Sequence, residues 1–220
     1  MFFLSNPTFA IFIIFAFLGI QNLQAAVKIE ITNDSNEETI WANDTELHVK
    51  NMSSPVYTLI NTTQRKLYTV DLDQKVIIDL SEKIKEKLSI SEVNDISIEF
   101  VHHGAGPVML GFDTDLYLLK VNGEICRTEY LSQSAKELNV FIAGLELMTE
   151  YRISTTFSNL PSDLDLCFVA DHLSFQRYSQ YGFPMKSSDQ YGKVTFELLS
   201  INTASSNPPG NFKVPVARNN

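Results

Sequence analysis

The chain has 220 residues, with 17 Lys and Arg against 26 Asp and Glu, so its formal net charge at pH 7 is −9. This acidic balance argues against nucleic-acid binding and against binding to anionic lipid surfaces, since both need clustered basic side chains. With 44% hydrophobic and 20% charged residues, the composition is that of a folded domain. Two cysteines are too few for a disulfide scaffold or a cysteine-rich zinc module.

The N-terminus resembles a secretory leader. Residues 1–26 carry no charged side chain and include an uninterrupted apolar segment at 9–20. A membrane-spanning helix needs about 20 apolar residues, so this segment fits the apolar region of a signal peptide better than an anchor. We expect cleavage near Ala25 or Ala26, although position −3 would not be a small residue, and an uncleaved anchor stays open. The mature chain is then secreted or periplasmic, without a membrane span.

The mature sequence is dominated by period-two alternation of apolar and polar residues in short segments separated by polar turns, beginning with 27–31. This pattern predicts an all-β, two-sheet sandwich (jelly-roll or immunoglobulin-like) of about 10–12 strands over residues 27–202. Segments 138–142, 151–157 and 164–169 are included among the strands. Residues 203–220 are rich in Asn, Ser and Pro and are predicted to form a flexible tail.

Two local patterns are more specific. Asn122 and Gly123 separate two strand-like segments, and both tolerate the positive φ of a type I′ turn, which predicts a hairpin of 116–121 with 124–130. From Asp79 onward, apolar residues up to Leu88 are spaced four apart. This spacing predicts one short amphipathic helix that begins at Asp79 as its N-cap.

Export makes the two cysteines interpretable. Cys126 and Cys167 both lie in strand-like segments, and thiols in an oxidising compartment can pair. A disulfide that closes a loop of about 40 residues would contribute roughly 3–4 kcal/mol to stability. Two free cysteines buried in core strands are the alternative.

Four Asn-x-Ser/Thr sequons lie in the N-terminal part of the mature chain, at Asn33, Asn43, Asn51 and Asn61. In a eukaryotic secreted protein each could carry a glycan and would mark an exposed loop or edge. In a bacterial protein they would have no such meaning, and the sequence does not decide between the two sources.

The first candidate binding site is the aromatic-rich stretch 175–191, which lacks alternation and is predicted to be a long loop. Flat aromatic faces next to polar groups suit sugars and protein partners. Aromatic residues that close one end of the sandwich are the alternative. The proposed ligand-binding residues are Arg177, Tyr178, Tyr181, Phe183 and Tyr191.

The second candidate is the segment 101–115, which places His102 and His103 near Asp113 and Asp115. If the strand ends there, a histidine and a carboxylate from the return strand could form an acid–base or metal site. A hairpin loop with exposed histidines is the favoured alternative, because no His-x-His or HExxH motif is present. We therefore assign no catalytic residue, no metal and no cofactor.

Residues 29–42, with the sequence IEITNDSNEETIWA, resemble the opening of thaumatin-like proteins, which have a strand, an Asn-rich turn and a Thr-(Val/Ile)-Trp-Ala strand. Members of that family are generally cysteine-rich, whereas this chain has two cysteines. The resemblance assigns no functional residue to this chain.

These features favour a secreted or periplasmic binding module, non-catalytic, that recognises a glycan or an extracellular protein through its loops. One alternative is a secreted hydrolase that acts on extracellular polysaccharide or another polymer, with segment 101–115 as its site. The other is an envelope or assembly subunit whose C-terminal tail docks on a partner. The oligomeric state is left open.

Overall fold

The computed structural model describes residues 26–34, 36–82, 96–156, 166–174, 176–206 and 208. The N-terminal half contributes β1 (Ala26–Asn33), β2 (Asn36–Ala42), β3 (Glu46–Asn51), β4 (Val56–Asn61), β5 (Lys66–Asp71) and β6 (Val76–Asp79). The remaining strands are β7 (Ile98–Ala105), β8 (Asp115–Val121), β9 (Glu124–Ser132), β10 (Phe183–Asp189) and β11 (Val194–Ser205). Between β9 and β10 the described residues form a short 3-10 helix (Lys136–Leu138) and three α-helices, namely α1 (Asn139–Thr156), α2 (Leu166–Leu173) and α3 (Arg177–Tyr181).

All these strands belong to a single antiparallel sheet of 11 strands. Their order is β6-β5-β4-β3-β2-β1-β11-β10-β9-β8-β7, so the first and last strands meet in the middle and β6 and β7 form the edges. The prediction of an antiparallel, mainly β protein is confirmed. The two-sheet sandwich is not confirmed, because the described strands are hydrogen-bonded into one continuous sheet.

The hairpin at Asn122-Gly123 is confirmed. Strands β8 and β9 pair up to Val121 and Glu124, and the two turn residues have φ values of 51° and 86°. Positive φ at both central residues is the requirement of a type I′ turn, and Asn and Gly satisfy it with little steric cost.

The strands predicted at 138–142, 151–157 and 164–169 are wrong, because most of these residues lie in α1 and α2. The buried side chains near the start of α1 follow helical spacing, from Leu138 to Phe141 and Ile142. Gly144 in the same helix faces β3 so closely that a Cβ atom there would overlap the side chain of Leu47. Tertiary packing of an apolar face against the sheet therefore decides the helix, which short windows of alternation do not reveal.

The sequence analysis places the domain at 27–202; in the structure β1 begins at Ala26 and β11 ends at Ser205. Asp79 ends β6, and its carboxylate accepts a hydrogen bond from the backbone N–H of Ser81 over 2.9 Å. The predicted helix from residue 83 onward, the leader up to 25 and the tail from 209 onward lie outside the described residues.

We call the sheet face that packs against the helices the inner face, and the opposite one the outer face. On the inner face, Ile29, Ile40 and Val49 belong to the same buried cluster as Phe141 of α1. Near the β7 edge, α2 packs on the inner face through Ala170, which contacts the cluster that contains Leu119.

The helices that the structure describes include none with the length and apolar character of a membrane span.

The predicted disulfide is confirmed. Cys126 of β9 and Cys167 of α2 are bonded, with their Cα atoms 5.1 Å apart. The bond links α2 covalently to the inner face of the sheet, next to the cluster that contains Val121.

Candidate functional site

A cavity of about 370 Å³ lies between the inner face and the three helices, and we call it the helix cavity. Three arginines and two aspartates line it, which leaves one positive charge on the lining. The charged lining residues are Asp34, Arg127, Arg152, Asp171 and Arg177. The other lining residues are Asn33, Leu145, Thr149, Phe168, Tyr178, Pro184, Thr195 and Phe196.

The three arginines come from three different elements. Arg127 is an inner-face residue of β9, since it pairs with Leu119, whose side chain is buried against α2. Arg152 belongs to the C-terminal part of α1, and Arg177 is the first residue of α3. The packing of α1, α2 and α3 on the sheet therefore assembles a basic cavity from positions far apart in sequence.

Arg177 is held by a buried carboxylate. Its Nε and Nη2 atoms donate hydrogen bonds to Oε2 and Oε1 of Glu129, over 2.8 and 2.7 Å. Its Nη1 atom also donates to the backbone carbonyl of Asp171 over 3.0 Å. Although burial opposes the shift, the Glu129 carboxylate raises the pKa of Arg177 well above its ordinary value. Arg177 therefore stays charged and fixed in place.

Asp171 joins the two arginines of this network. Its carboxylate accepts a hydrogen bond from Nη2 of Arg177 and forms an ion pair with Nη2 of Arg127 at 2.9 Å. Burial opposes the shift, but the Asp171 carboxylate raises the pKa of Arg127. With Glu129 included, two positive and two negative charges balance, so these four side chains anchor α2 and α3 to β9.

Tyr178 completes the network from α3. Its hydroxyl donates to Oε1 of Glu129 over 3.0 Å and accepts from Nη2 of Arg177 over 2.8 Å. Burial is the main cause of a strongly raised pKa of the Tyr178 hydroxyl, which therefore stays protonated. The ring also faces the guanidinium of Arg177, whose Cζ lies 4.4 Å from the ring centroid.

Arg152 differs from the other two arginines of the helix cavity. It is exposed, and within the described part of the chain no carboxylate forms an ion pair with it. The charge of Arg152 acts on Glu38 of β2. Burial raises the pKa of the Glu38 carboxyl, and Arg152 partly opposes this rise. Arg152 is thus the lining cation that is available to an incoming anion.

A second cavity, of about 450 Å³, lies on the other side of Tyr178, which lines both. Its lining is mixed, with the polar residues Gln133, Asn139, Glu146, Ser179 and Gln180 beside Ile142 and Ala143. Burial is the main cause of a raised pKa of Glu146, and its Oε1 atom is buried without a hydrogen-bond partner in the described structure.

The stretch 175–191 is not the long loop that the sequence predicts, because it contains α3, β10 and the β10–β11 turn. Arg177 and Phe183 are buried, and the ring of Phe183 packs edge-to-face on Phe141 of α1. Tyr191 lies in the turn with 85% of its surface exposed. Of the five proposed ligand-binding residues, Arg177 and Tyr178 line the helix cavity.

Tyr181 connects the two predicted sites through a series of tilted ring contacts. It packs against Phe100 and Tyr117 with centroid distances of 5.0 and 5.1 Å, and Tyr117 lies 5.1 Å from the ring of His102. Neither His102 nor Asp115 lines the helix cavity, so the two predicted sites do not form one pocket.

The second predicted site is an exposed pair near the β7 edge of the sheet. Nε2 of His102 lies 3.3 Å from Oδ1 of Asp115 across the β7–β8 pair, and both side chains are about half exposed. His103 is the next residue along β7, and Asp113 is exposed in the connection to β8. Over the described ranges, no group of three or more His, Cys, Asp or Glu side chains could hold a metal ion.

Sequence analysis missed Arg127, Glu129 and Arg152. Arg127 and Glu129 are two residues apart in a strand and therefore share one face. The sequence analysis assigned 124–130 to a strand and gave its charged residues no role, whereas both point to the inner face, where Asp171 of α2 and Arg177 of α3 supply the opposite charges. Two opposite charges two residues apart in a strand is the signal that could have identified them.

No model of a known protein family matches the chain, and no curated protein matches it. Among solved structures, the chain is similar to the crystal structure of MucB, with a TM-score of 0.40 and 9% sequence identity. The similarity covers 89% of this chain and 59% of MucB, so the chain spans less than two thirds of the length of that protein.

Proposed function

We propose that the chain is an exported, non-catalytic binding protein whose ligand enters the helix cavity with an anionic group beside an apolar face. The observation that carries this proposal is that Arg152 lines the cavity without an ion-pair partner in the described structure, whereas the other two lining arginines are paired with carboxylates. A carboxylate or phosphate of the ligand would pair with it.

The apolar part of the ligand would pack against the remaining walls. Leu145 of α1, Phe168 of α2 and Phe196 of β11 line the cavity from three sides. A volume of about 370 Å³ falls at the small end of the range for ligand sites in proteins. It suits a ligand of one or two rings, or a short chain, better than a polymer enclosed along its length.

An acidic sugar has this combination, because it carries a carboxylate and presents C–H groups that pack on aromatic rings. This agrees with the expectation of glycan binding from the sequence, and it moves the contact from exposed loops to the helix cavity. A medium-chain fatty acid carries the same carboxylate on a longer apolar chain. The experiment below therefore distinguishes an acidic sugar from a fatty acid as the ligand.

The test is a titration of the purified chain by calorimetry with oligosaccharides of uronic acids, with octanoate and with their uncharged methyl esters. We expect one acid to bind and its ester to bind at least 10-fold more weakly. The variant R152Q should weaken binding of the acid by a similar factor. R65Q is the matched control, since it removes an exposed arginine that is paired with Glu150 away from the cavity lining.

Two results would overturn the proposal. One is that none of the acids binds the folded chain at millimolar concentration. The other is that R152Q and R65Q bind the acid equally well. If uronic-acid oligosaccharides bind and octanoate does not, the ligand is a glycan, and the reverse result identifies a fatty acid.

A hydrolase is the second candidate, because His102 and Asp115 form a histidine–carboxylate pair at 3.3 Å. A histidine held by a carboxylate can act as a general base. Release of reducing ends from extracellular polysaccharides, abolished in H102N, would support this candidate. Absence of turnover on a panel of polysaccharides would remove it.

A further inference from the structure

The second cavity, of about 450 Å³, lies between α1 and α3 and differs in charge from the helix cavity. Among the described residues that line the second cavity, Glu146 is the one with a charged side chain. Arginines outnumber aspartates on the lining of the helix cavity, so its net charge is positive. The second cavity therefore suits a ligand with a positive charge.

Glu146 is a half-buried residue of α1 whose carboxylate is not fully satisfied. Its Oε1 atom is buried and has no hydrogen-bond partner in the described structure. A buried polar atom without a partner is rare in folded proteins and destabilises them. Because rotation about χ3 is soft in glutamate, either carboxylate oxygen can turn towards the cavity. The side chain thus offers a hydrogen-bond acceptor to a ligand at the cavity wall.

The charged groups around Glu146 do not neutralise it. Arg65, in the turn between β4 and β5, forms an ion pair with Glu150, which lies one turn further along α1. Burial is the main cause of the raised pKa of Glu146, Glu150 adds to this rise, and Ser179 and Arg65 oppose it. A carboxylate that is unfavourable for folding and lies at a cavity wall is typical of a binding residue.

The remaining polar lining suits a ligand with several hydroxyl groups. Gln133, Asn139 and Gln180 line the cavity and have exposed side chains. A carboxamide has two N–H donors and a carbonyl acceptor, so it pairs with a hydroxyl group in either direction. Ile142 and Tyr178 add apolar surface on which C–H groups can pack. The volume of about 450 Å³ lies within the range of small-molecule sites.

We propose that the second cavity binds a polyhydroxylated primary amine, such as a sugar unit with a free amino group. The ammonium group pairs with Glu146 through charge-assisted hydrogen bonds, which are the strongest contacts of the complex. The hydroxyl groups bond to the carboxamides of Gln133, Asn139 and Gln180. The site is separate from the anion site proposed for the helix cavity, because the two linings share Tyr178 alone.

The first experiment compares glucamine with sorbitol, which carries a hydroxyl group in place of the amine. In calorimetric titrations of the purified full chain at pH 7, glucamine should bind in the millimolar range or more tightly. Sorbitol should bind more weakly by about 10-fold or more, since it lacks the charge. Equal affinities for the two compounds, or no binding of glucamine at millimolar concentration, would overturn the proposal.

The variant E146Q tests the carboxylate directly. It should weaken binding of glucamine by about 10-fold or more. E137Q is the matched control, because it removes an exposed negative charge from the 3-10 helix before α1, outside the cavity lining. This control should keep the affinity of the wild type. Equal losses of affinity in E146Q and E137Q would show that overall charge, and not this site, attracts the amine.

Thermal denaturation separates loss of binding from loss of folding. Because the charged carboxylate of Glu146 opposes folding, E146Q should be at least as stable as the wild type at neutral pH. Glucamine should raise the melting temperature of the wild type and of E137Q and leave that of E146Q unchanged. An equal rise in all three proteins would place the amine outside the second cavity and contradict the proposal.

The pH dependence of binding is a further readout that a purely structural role of Glu146 would not affect. Protonation of the carboxyl removes the charge that pairs with the ammonium group. The affinity of the wild type for glucamine should therefore fall as the pH decreases from 7 to 5, because burial raises the pKa of Glu146. The amide of E146Q does not titrate, so the same fall in this variant would exclude Glu146 as the partner.

Chemical-shift mapping by NMR locates the amine on the unmodified chain. Glucamine should shift the backbone amide signals of Asn139, Ala143 and Gln180, which line the second cavity. The signals of Thr149 and Thr195, which line the helix cavity, should not change. Shifts confined to the lining of the helix cavity would overturn the proposal.

Discussion

Arg177 and Glu129 form a bidentate ion pair between α3 and β9 that is almost completely removed from water. The two N–O distances are 2.8 and 2.7 Å, and the side chains are 3% and 0% exposed. Because the partners lie 48 residues apart in sequence, the pair fixes the position of α3 on the inner face. Removal of Glu129 would leave the buried guanidinium with Asp171 as its remaining ion-pair partner, a carboxylate that it shares with Arg127.

The variant E129Q should therefore destabilise the protein strongly. We expect its free energy of unfolding to fall by about 3–5 kcal/mol, which is typical of a buried ion pair that loses one partner. Urea denaturation measured by far-UV circular dichroism gives this value. E197Q is the control, since Glu197 pairs with Lys186 at a half-exposed site and should cost about 1 kcal/mol or less. Equal losses in the two variants would contradict the prediction.

The Cys126–Cys167 disulfide should contribute to stability and hold α2 on the sheet. Reduction, or the double variant C126S/C167S, should lower the free energy of unfolding by about 3–4 kcal/mol, because the bond closes a loop of 41 residues. Peptide mapping without reduction should find the two cysteine-containing peptides linked. Alkylation of both thiols in the native, unreduced protein would show that the bond is absent.

The stability should fall on mild acidification because of His48. Burial is the main cause that lowers the pKa of His48 to about 4, against an ordinary value of 6.5. Between these two values the unfolded chain binds a proton that the folded chain does not, so acidification favours unfolding. The full effect is about 3 kcal/mol and is complete below pH 4.

Urea denaturation of the wild type and of H48F at pH 7, 5.5 and 4 measures this effect. The free energy of unfolding of H48F should fall less than that of the wild type over this pH interval. If the free energy of unfolding depends on pH equally in the wild type and in H48F, His48 is accessible to protons in the folded state.

The charged carboxylate of Glu146 should destabilise the folded protein at neutral pH. Burial is the main cause that raises its pKa, so stability is lost as the pH rises through the pKa of the folded state. The variant E146Q removes the charge and keeps the shape, and we expect it to raise the free energy of unfolding at pH 8 by about 1 kcal/mol. Its stability at pH 4 should change little. E137Q, at an exposed position before α1, is the control and should leave the free energy of unfolding unchanged at both pH values. A loss of stability in E146Q at pH 8 would contradict the prediction.

The parts of the fold that depend on local chemistry could be predicted from the sequence. The β8–β9 hairpin follows from Asn122 and Gly123 alone, because a type I′ turn has strict requirements at its two central residues. The disulfide followed from the compartment that the leader suggests. In contrast, β1 and β11 meet in the sheet through pairing between the two ends of the domain, and no local pattern reveals a partner at that distance.

The helices and the cavity were harder to predict for the same physical reason. Segments of five residues such as 138–142 fit a strand and a helix equally well, and only packing of Phe141 against the inner face selects the helix. No role could be assigned to the charges of Arg127 and Glu129 from the sequence, because their partners come from α2 and α3. The site depends on contacts between elements, which a single sequence does not encode locally.

The central pairing of β1 with β11 has a consequence for how the chain folds. Every other pair of neighbouring strands is consecutive along the chain, so the sheet is a circularly permuted meander. The hydroxyl of Ser200 donates to the carboxylate of Glu30, a residue 170 positions away in the sequence, and such distant pairings slow folding. In a permutant opened between β6 and β7 and joined from β11 to β1, all strands would follow one another in spatial order. Its sheet could form by stepwise addition of consecutive strands, with the helical segment between β9 and β10, and the two halves would no longer have to pair after forming separately.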